Sequence, residues 1–445
     1  MAIAIASARS ADGSPVFNVI GVDLPSPKGL SAIAALNDGR FPSVTTDAKL
    51  ISATRMAIEN GNLVATDDPS AYALAEAIIC DINLDLCPDK NVPDVRFAAF
   101  EAGIRSVGRH MRPGALVIVE TTVPPGTCAK IVAPALADEM ARRGEAPDNF
   151  LLAHSFERVM PGADYFDSIV NFWRVFAGHS TAAAKACRAF LEKVVNTTDF
   201  PLTELQSTTA SETTKVMENS YRAVNIAFVD EWARFAESVG VDLFEVVEAI
   251  RRRPTHSNIR QPGFGVGGYC LTKDPLFAKV AASRLFGRDD LQFPFCERAV
   301  AVNDAMPLVS LDRLEKMLGG LAGKRVALFG VSYRPDVGDT RYSPTEVFAR
   351  TAAQRGALIV AHDPLVTHWE EMGIDLDANL PSASEIDAAV FAVQHTEYHK
   401  MDMVEWLGNS TPTILDSNDV LSPKQRSDLV AAGCCVEFIG RGESK

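Results

Sequence analysis

The sequence lacks several features that would assign it to whole classes of protein. No apolar run approaches the ~18 residues needed to cross a bilayer. The opening MAIAIASARS has neither the basic start nor the longer apolar stretch of a secretion signal. Positive charge is scarce, because 43 Lys and Arg face 57 Asp and Glu, and the net charge of −14 repels polyanions. We therefore expect a soluble protein that binds neither membrane nor nucleic acid.

Cysteine is also sparse. The chain of 445 residues has eight cysteines and no C-x-x-C pair. That spacing argues against a zinc ribbon or a thioredoxin-like motif, so no metal site is predicted. Thinly scattered cysteines are typical of reduced thiols in a cytosol, and we expect a cytoplasmic protein.

A third absence concerns glycine. An α/β domain that binds a dinucleotide opens with a strand and then G-x-G-x-x-G, where a helix N-terminus meets the pyrophosphate. This chain has no such loop near its start, yet VIGVD at 19–23 looks like the second strand of such a domain, with Asp23 placed to bind a ribose. We interpret MAIAIASARS as the first helix and expect that the sequence begins one element late. The alternative is an α/β domain that never bound a dinucleotide.

What the sequence does contain is two regions of alternating strand and helix patterns, separated by a helical stretch. The helical pattern closes on Gly240 and again at Pro254, and the alternation resumes with RVALFGVSY after GGLAGK. This pattern predicts an α/β fold in which two Rossmann-like, doubly wound parallel-sheet domains are joined by a central helical domain. We place the three domains at 1–202, 203–316 and 317–445.

The one glycine-rich run, PGFGVGGYC at 262–270, ends in a cysteine. Glycine lets a backbone approach a ligand closely. Lys273 and Asp274 follow Cys270 and place a cation and a carboxylate beside the thiol. This local context leaves two interpretations open, a nucleophile or an inert small core residue.

Six motifs, in this order, resemble the UDP-glucose/GDP-mannose dehydrogenase family, which oxidises the C6 alcohol of a nucleotide sugar to a carboxylate with two NAD. The motifs are VIGVD (19–23), VETTVPPGT (119–127), FERVMPG (156–162), ETTKVMENSYRAVNIAFVDE (212–231), PGFGVGGYCLTKDP (262–275) and GVSYRPDVGDTRYSP (330–344). PGFGVGGYC and VPPGT are closer to the branch that acts on N-acetylated sugars, such as UDP-N-acetylmannosamine dehydrogenase.

The resemblance extends over essentially the whole chain and implies a division of labour. It implies an NAD-binding first domain, a central domain that forms a homodimer or higher oligomer, and a C-terminal domain that binds the UDP of a nucleotide sugar. It also implies a cytoplasmic enzyme that supplies a uronic acid for surface polysaccharide.

For catalysis, the resemblance implies that the Cys270 thiol forms a thiohemiacetal and then a thioester. Lys215 and Asn219 share one helical face by their spacing, and the resemblance gives them the stabilisation of the developing oxyanion. Glu157 corresponds to a carboxylate that assists thioester hydrolysis, acting through water as a general base. Asp274 is the second carboxylate near the thiol and would position water or Lys215.

For the cofactor, the resemblance implies contacts from both ends of the chain. Asp23 would bind the adenosine ribose, with Lys28 nearby. Thr122 matches a catalytic threonine that lies near the nicotinamide and a catalytic water. Lys273 and Arg341 match positions that reach the pyrophosphate or the nicotinamide side.

For the substrate, the resemblance implies a loop that wraps the sugar and diphosphate, with Arg260 offered by a partner subunit. The implied substrate-binding residues are Glu157, Arg158, Lys215, Asn219, Asn258, Arg260, Gly263, Gly267 and Arg334. Arg334 stands where the family usually has lysine, and Asn83 and Asn418 replace a customary threonine and arginine.

Two other functions stay open. A cofactor-deficient nucleotide-sugar-binding protein of the same fold would bind substrate without forming NADH. A two-electron hydroxyacid dehydrogenase of the 6-phosphogluconate type would share the layout without needing Cys270.

Overall fold

The computed structural model of the protein describes residues 1–87 and 93–442. The strands are β1 Val19–Val22, β2 Leu63–Thr66, β3 Ala77–Cys80, β4 Leu116–Val119, β5 Leu151–His154, β6 Val175–Gly178, β7 Thr203–Glu204, β8 Arg325–Phe329, β9 Leu358–His362, β10 His368–Trp369, β11 Ile374–Asp375, β12 Ala388–Phe391, β13 Thr413–Asp416 and β14 Val436–Phe438. The helices are α1 Ala2–Ala6, α2 Pro27–Asn37, α3 Ala48–Glu59, α4 Phe97–His110, α5 Ala133–Arg142, α6 Tyr165–Val170, α7 Thr181–Val194, α8 Thr208–Val239, α9 Leu243–Arg251, α10 Phe277–Val280, α11 Pro294–Leu318, α12 Pro344–Gln354, α13 Thr396–His399, α14 Met403–Leu407 and α15 Pro423–Ala431.

The chain forms two compact units. The first unit comprises Met1–Glu218 and Leu276–Phe293, and the second comprises Asn219–Pro275 and Pro294–Lys445. The boundary between them falls inside α8. No helix in the described ranges has the length and apolar character needed to cross a membrane.

The first unit contains a five-stranded sheet in the order β3-β4-β5-β6-β7, and β1 pairs in parallel with β2 in a separate two-stranded sheet. Strands β3, β4 and β5 run parallel, whereas β6 runs antiparallel to β5. An antiparallel strand on an otherwise parallel sheet is common in α/β folds. The opening residues form the short helix α1, as the sequence predicted.

Apolar cores cover both faces of this five-stranded sheet. One core joins α4 and α5 to the sheet through side chains such as Phe100 and Leu136, and the other joins α7 through Leu191. Every residue of β4 is buried, which is why LVIV reads as an unbroken apolar run rather than an alternating one.

The second unit contains a five-stranded parallel sheet in the order β14-β13-β12-β8-β9. Its strands carry stacked aromatic side chains, with the rings of Phe329 and Phe391 4.6 Å apart. Alongside the sheet, this unit holds the C-terminal part of α8 together with α9 and α11. Helix α8 is followed by Gly240 at φ +75°, and α9 by Pro254, as predicted.

Candidate functional site

In the first unit, two predicted catalytic residues are brought together. Glu157 follows β5, and Lys215 lies on α8. The Lys215 Nζ donates a hydrogen bond to the Glu157 carbonyl over 3.0 Å, and the ammonium lies 5.4 Å from the centre of the Phe156 ring. Burial raises the pKa of the Glu157 carboxyl. A carboxylate with a raised pKa is a stronger base than an ordinary one.

The Arg158 guanidinium is bound by residues of the first unit. Its Nε lies 3.1 and 3.2 Å from the two carboxylate oxygens of Glu218, and its Nη1 donates to the Trp173 carbonyl over 2.7 Å. The guanidinium that the resemblance gives to the substrate is thus held by an ion pair at the surface of α8.

Thr122 follows β4, at the start of a loop that α8 anchors. Glu212 is completely buried on α8. Its carboxylate accepts hydrogen bonds from the Gly126 N–H at 2.5 Å and from the Cys128 N–H at 2.8 Å. Sequence reasoning missed Glu212, although it opens the quoted motif ETTKVMENSYRAVNIAFVDE three residues before Lys215.

The residues predicted for the adenosine end of NAD lie at the end of β1. Asp23 follows the strand, with its N–H donating to the Thr66 carbonyl over 3.1 Å, and its side chain is exposed. Lys28 lies in the first turn of α2, which packs so closely that a Cβ on Gly29 would lie 2.1 Å from the Leu24 carbonyl. An exposed carboxylate at a strand end fits the ribose of NAD. Within residues 1–87 and 93–442, no G-x-G-x-x-G loop precedes this strand.

In the second unit, Cys270 is at the surface rather than in the core. Of the eight cysteines, only Cys270 and Cys435 are exposed. The chain turns directly after Cys270, whose carbonyl accepts the Asp274 N–H over 2.9 Å. An exposed thiol is accessible to a substrate, which a core thiol is not.

That turn places Lys273 and Asp274 against α8. The Asp274 carboxylate is buried and accepts from the Asn219 Nδ2 at 2.7 Å and from the Lys273 Nζ at 3.1 Å. Three predicted residues therefore form one hydrogen-bonded group, in which Asp274 orients the Asn219 amide.

The glycines before Cys270 allow other parts of the chain to come close to their backbone, and these parts are loops of the same unit. A Cβ on Gly267 would lie 2.4 Å from the Tyr342 carbonyl oxygen, and a Cβ on Gly263 would lie 2.8 Å from the Asn418 Oδ1. The contact at Gly267 is with backbone and excludes a side chain there, whereas a side chain at Gly263 would have to displace the Asn418 amide. The glycine run is thereby packed against loops that follow β8 and β13.

Arg341 also belongs to the second unit and contacts the glycine-rich run at its end. Its guanidinium pairs with Asp339 through two hydrogen bonds of 2.8 and 2.5 Å, and its Nη1 donates to the Tyr269 hydroxyl over 2.9 Å. The Asp339 carboxylate raises the pKa of Arg341. Arg341 is thus held next to the residue that precedes Cys270.

Three arginines of the second unit, Arg222, Arg260 and Arg334, lie near enough for their charges to interact, and Arg222 also interacts with Cys270. The pKa of Arg222 is lowered by desolvation and then by Arg260 and Arg334, and Cys270 acts in the opposite direction. Within the described part of the chain, none of these three arginines forms an ion pair with a carboxylate. Positive charge gathered without a counter-charge attracts an anion such as a diphosphate. Sequence reasoning missed Arg222, although it lies three residues after Asn219 on the predicted helix.

The loop that carries Arg334 is fixed by a buried network. His395 accepts the Asp336 N–H on Nδ1 at 3.0 Å, and its Nε2 lies 3.1 Å from the Asp363 Oδ2. Asp363 also accepts the N–H groups of Val331 and Ser332 at 2.9 and 3.0 Å. Asp336 has φ +56°, a strained conformation for a residue other than glycine. The network was not predicted, because it joins Val331, Ser332 and Asp336 of the motif at 330–344 to Asp363 and His395, which lie about 30 and 60 residues further along the chain.

A known protein family matches the chain in three consecutive segments. Three sequence profiles of the UDP-glucose/GDP-mannose dehydrogenase family match: the NAD-binding domain over residues 5–197, the central domain over 209–305 and the UDP-binding domain over 327–423.

Individual relatives match over most of their length. A UDP-N-acetyl-D-mannosamine dehydrogenase of Yersinia pestis is 31% identical over 85% of this chain and 88% of that protein. The structure of the UDP-N-acetyl-D-mannosamine dehydrogenase of Pyrococcus horikoshii superposes with a TM-score of 0.82 at 27% identity, covering 99% of this chain and 96% of the other. An NDP-N-acetyl-D-galactosaminuronic acid dehydrogenase from Methanosarcina mazei gives 0.77 at 27% identity, covering 99% and 92%. The chain therefore belongs to the UDP-glucose/GDP-mannose dehydrogenase family and is an NAD-dependent oxidoreductase of nucleotide sugars.

Proposed function

We propose that the protein carries out the four-electron oxidation of the C6 hydroxymethyl group of a UDP-sugar to the uronic acid, through a covalent intermediate on Cys270. The observation that carries this proposal is the exposed Cys270, which is followed by the hydrogen-bonded group of Asn219, Asp274 and Lys273 and lies within range of the charge of Arg222. A thiol that binds the aldehyde allows a second oxidation without releasing it.

The reaction proceeds through an aldehyde and a thioester. Two NAD molecules, bound one after the other, would each accept one hydride. The C6 alcohol first loses a hydride and its hydroxyl proton to give the aldehyde. The S–H bond of Cys270 then breaks as its sulfur bonds to the carbonyl carbon, and the thiol proton passes to the carbonyl oxygen to give the thiohemiacetal. Loss of a second hydride and of that proton gives the thioester, and water breaks the carbon–sulfur bond to release the carboxylate and restore the thiol.

Each step has a candidate group of the right chemistry. The Lys215 ammonium and the Asn219 amide would stabilise the oxyanion, and Asp274 holds that amide in place at 2.7 Å. Glu157, with its pKa raised by burial, would take the proton from the attacking water. Thr122 would lie beside the nicotinamide. Asp23 and Lys28 would hold the adenosine end, while Lys273 and Arg341 would contribute from the pyrophosphate or nicotinamide side.

We further propose a UDP-N-acetylhexosamine as the substrate. Support comes from the relatives, which are named for N-acetylated sugars, and from the match to the UDP-binding profile. Asn258, Arg260 and Arg334, together with the loop at Gly263 and Gly267, would contact the sugar and the diphosphate.

We also propose an oligomeric state and a cellular location. Helix α8 exposes an apolar stripe of about half-exposed side chains, which are Tyr221, Phe228, Trp232, Phe235 and Val239. Large exposed aromatic patches mark interaction surfaces, and we propose that a second copy of the chain covers this stripe in a cytoplasmic homodimer.

The division into an NAD-binding part (1–202), a central helical part (203–316) and a UDP-binding part (317–445) is supported by the order of the three profiles.

The test is NADH formation with a panel of UDP-N-acetylmannosamine, UDP-N-acetylgalactosamine, UDP-glucose and GDP-mannose. We expect two NADH per molecule of an N-acetylated UDP-sugar consumed. Cys270→Ala should bind the sugar and make no acid. Cys435→Ala, which removes the other exposed cysteine, is the matched control and should retain the full stoichiometry.

The remaining outcomes point to the other functions. Binding of the nucleotide sugar by calorimetry without any NADH would favour the cofactor-deficient binding protein. One NADH per substrate, with Cys270→Ala as active as the wild type, would favour a two-electron dehydrogenase.

A further inference from the structure

Two side chains outside the proposed catalytic set bind the backbone of the loop that carries Arg260. Asn225 lies on α8, one helical turn after Arg222. Its Nδ2 donates to the Asn258 carbonyl over 3.2 Å, and its Oδ1 accepts the Arg260 N–H over 2.9 Å. One amide thus holds the loop backbone on both sides of Ile259.

Ile259, which lies between these two contacts, is itself bound by Arg251 of α9. The Ile259 carbonyl accepts from Arg251 Nε at 3.1 Å and from Nη2 at 3.0 Å. The Ile259 side chain packs against an apolar cluster that includes Val229 and Val247. The backbone of three consecutive residues is therefore bound to α8 and α9, whereas Asn258 and Arg260 are exposed.

We propose that Asn225 is a positioning residue that places the Arg260 guanidinium in the arginine cluster, and that Arg251 supports it. This inference rests on the proposed function, since Arg260 matters here as a diphosphate ligand. Arg260 lies close enough to Arg222 of the same chain for their like charges to interact, so the proposal concerns the site of its own chain and not the partner-subunit contact that the resemblance implies. Separate arginines repel one another, so a cluster forms only if the backbone holds them in place. Asn225 is suited to this because an amide has both the donor and the acceptor that an extended backbone presents.

The experiment measures UDP binding by calorimetry for the full chain and the variants Asn225→Ala, Arg260→Ala and the double variant. We expect Asn225→Ala to weaken UDP binding about five- to tenfold, equivalent to about 1–1.4 kcal/mol. We also expect the double variant to bind no more weakly than Arg260→Ala alone, because Asn225 acts through Arg260. In turnover, Asn225→Ala should raise KM for the nucleotide sugar and leave kcat near the wild-type value.

A second readout follows the loop itself. Hydrogen–deuterium exchange detected by mass spectrometry should be faster for the 258–262 peptide in Asn225→Ala and in Arg251→Met. Thr213→Ala is the control, because the Thr213 hydroxyl bonds only to the Thr209 carbonyl of its own helix, and it should leave UDP binding and exchange unchanged.

The inference is overturned if the losses in UDP affinity add fully in the double variant, or if exchange in 258–262 does not change. A failure of the proposed function would look different. In that case the wild type would form no NADH with any sugar of the panel, while the UDP-binding and exchange measurements would still report on Asn225.

Discussion

Glu212 provides the sharpest test of how α8 controls the loop after β4. The change Glu212→Gln preserves the shape of the side chain and removes one acceptor. In the wild type, the two carboxylate oxygens accept the Gly126 and Cys128 N–H groups at 2.5 and 2.8 Å, with no solvent exposure. The glutamine oxygen can accept one of these N–H groups, and its NH₂ then faces the other.

The magnitude follows from those contacts. A hydrogen bond to a charged group contributes about 1.5–3 kcal/mol, and a buried donor left without a partner costs about 1–3 kcal/mol. Relief of the buried negative charge offsets part of this loss, since burial raises the pKa of Glu212. We expect the free energy of unfolding to fall by about 1–3 kcal/mol, which lowers Tm by about 2–4 °C per kcal/mol.

The pH dependence has a definite sign. The pKa of Glu212 is raised above 4.5 in the folded state, so the stabilisation by this residue is complete in acid and declines as pH rises through the folded pKa. Glutamine does not ionise. The difference in unfolding free energy between wild type and variant should therefore narrow as the pH is raised from acid through the folded pKa of Glu212.

The assay is thermal and chemical denaturation, followed by circular dichroism across this pH range. Glu59→Gln changes an exposed carboxylate at the end of α3 and should stay within about 0.5 kcal/mol of the wild type. The reasoning is refuted if Glu212→Gln matches that control, or if the difference widens with pH.

Three further changes test other parts of the fold. Gly267→Ala places a Cβ 2.4 Å from the Tyr342 carbonyl, and overpacking of about 1–3 kcal/mol should appear as a lower Tm in calorimetry. Trp232→Asp puts a charge in the exposed stripe of α8 and should give the monomer mass in light scattering, whereas an unchanged mass would remove this stripe from the dimer interface. His395→Phe keeps a buried ring, removes the acceptor of the Asp336 N–H and should lower the unfolding free energy by about 1–3 kcal/mol in urea titrations; no loss would mean that the network does not hold the loop.

The parts of the fold that the sequence predicted are those with a local signal. Helix α8 is followed by Gly240 and α9 by Pro254 because glycine accepts a positive φ and proline cannot continue a helix. The pairing of β6 antiparallel to β5 was not predicted. A strand pattern shows that a segment is extended and buried, and it does not show the direction of its neighbour.

The site was predicted where a motif carries the chemistry and missed where a contact joins distant positions. The residues predicted near Cys270, namely Asn219, Lys273 and Asp274, form one hydrogen-bonded group. The Glu212 contact to Gly126 spans 86 residues, and no local spacing encodes it. Such a bond depends on how a helix packs against a loop, which is decided by the whole fold.

The net charge of the chain likewise does not reveal where charges are gathered in the folded protein. The value of −14 argues against a polyanion partner, yet it does not show that Arg222, Arg260 and Arg334 lie close together with no ion pair to a carboxylate among the residues that the structure describes. At physiological salt, charges more than about 8 Å apart are largely screened. The arginines near Cys270 therefore decide what an anion experiences on binding, and distant carboxylates do not. A chain with an acidic surface can in this way hold a nucleotide diphosphate, provided that its loops keep the cations together.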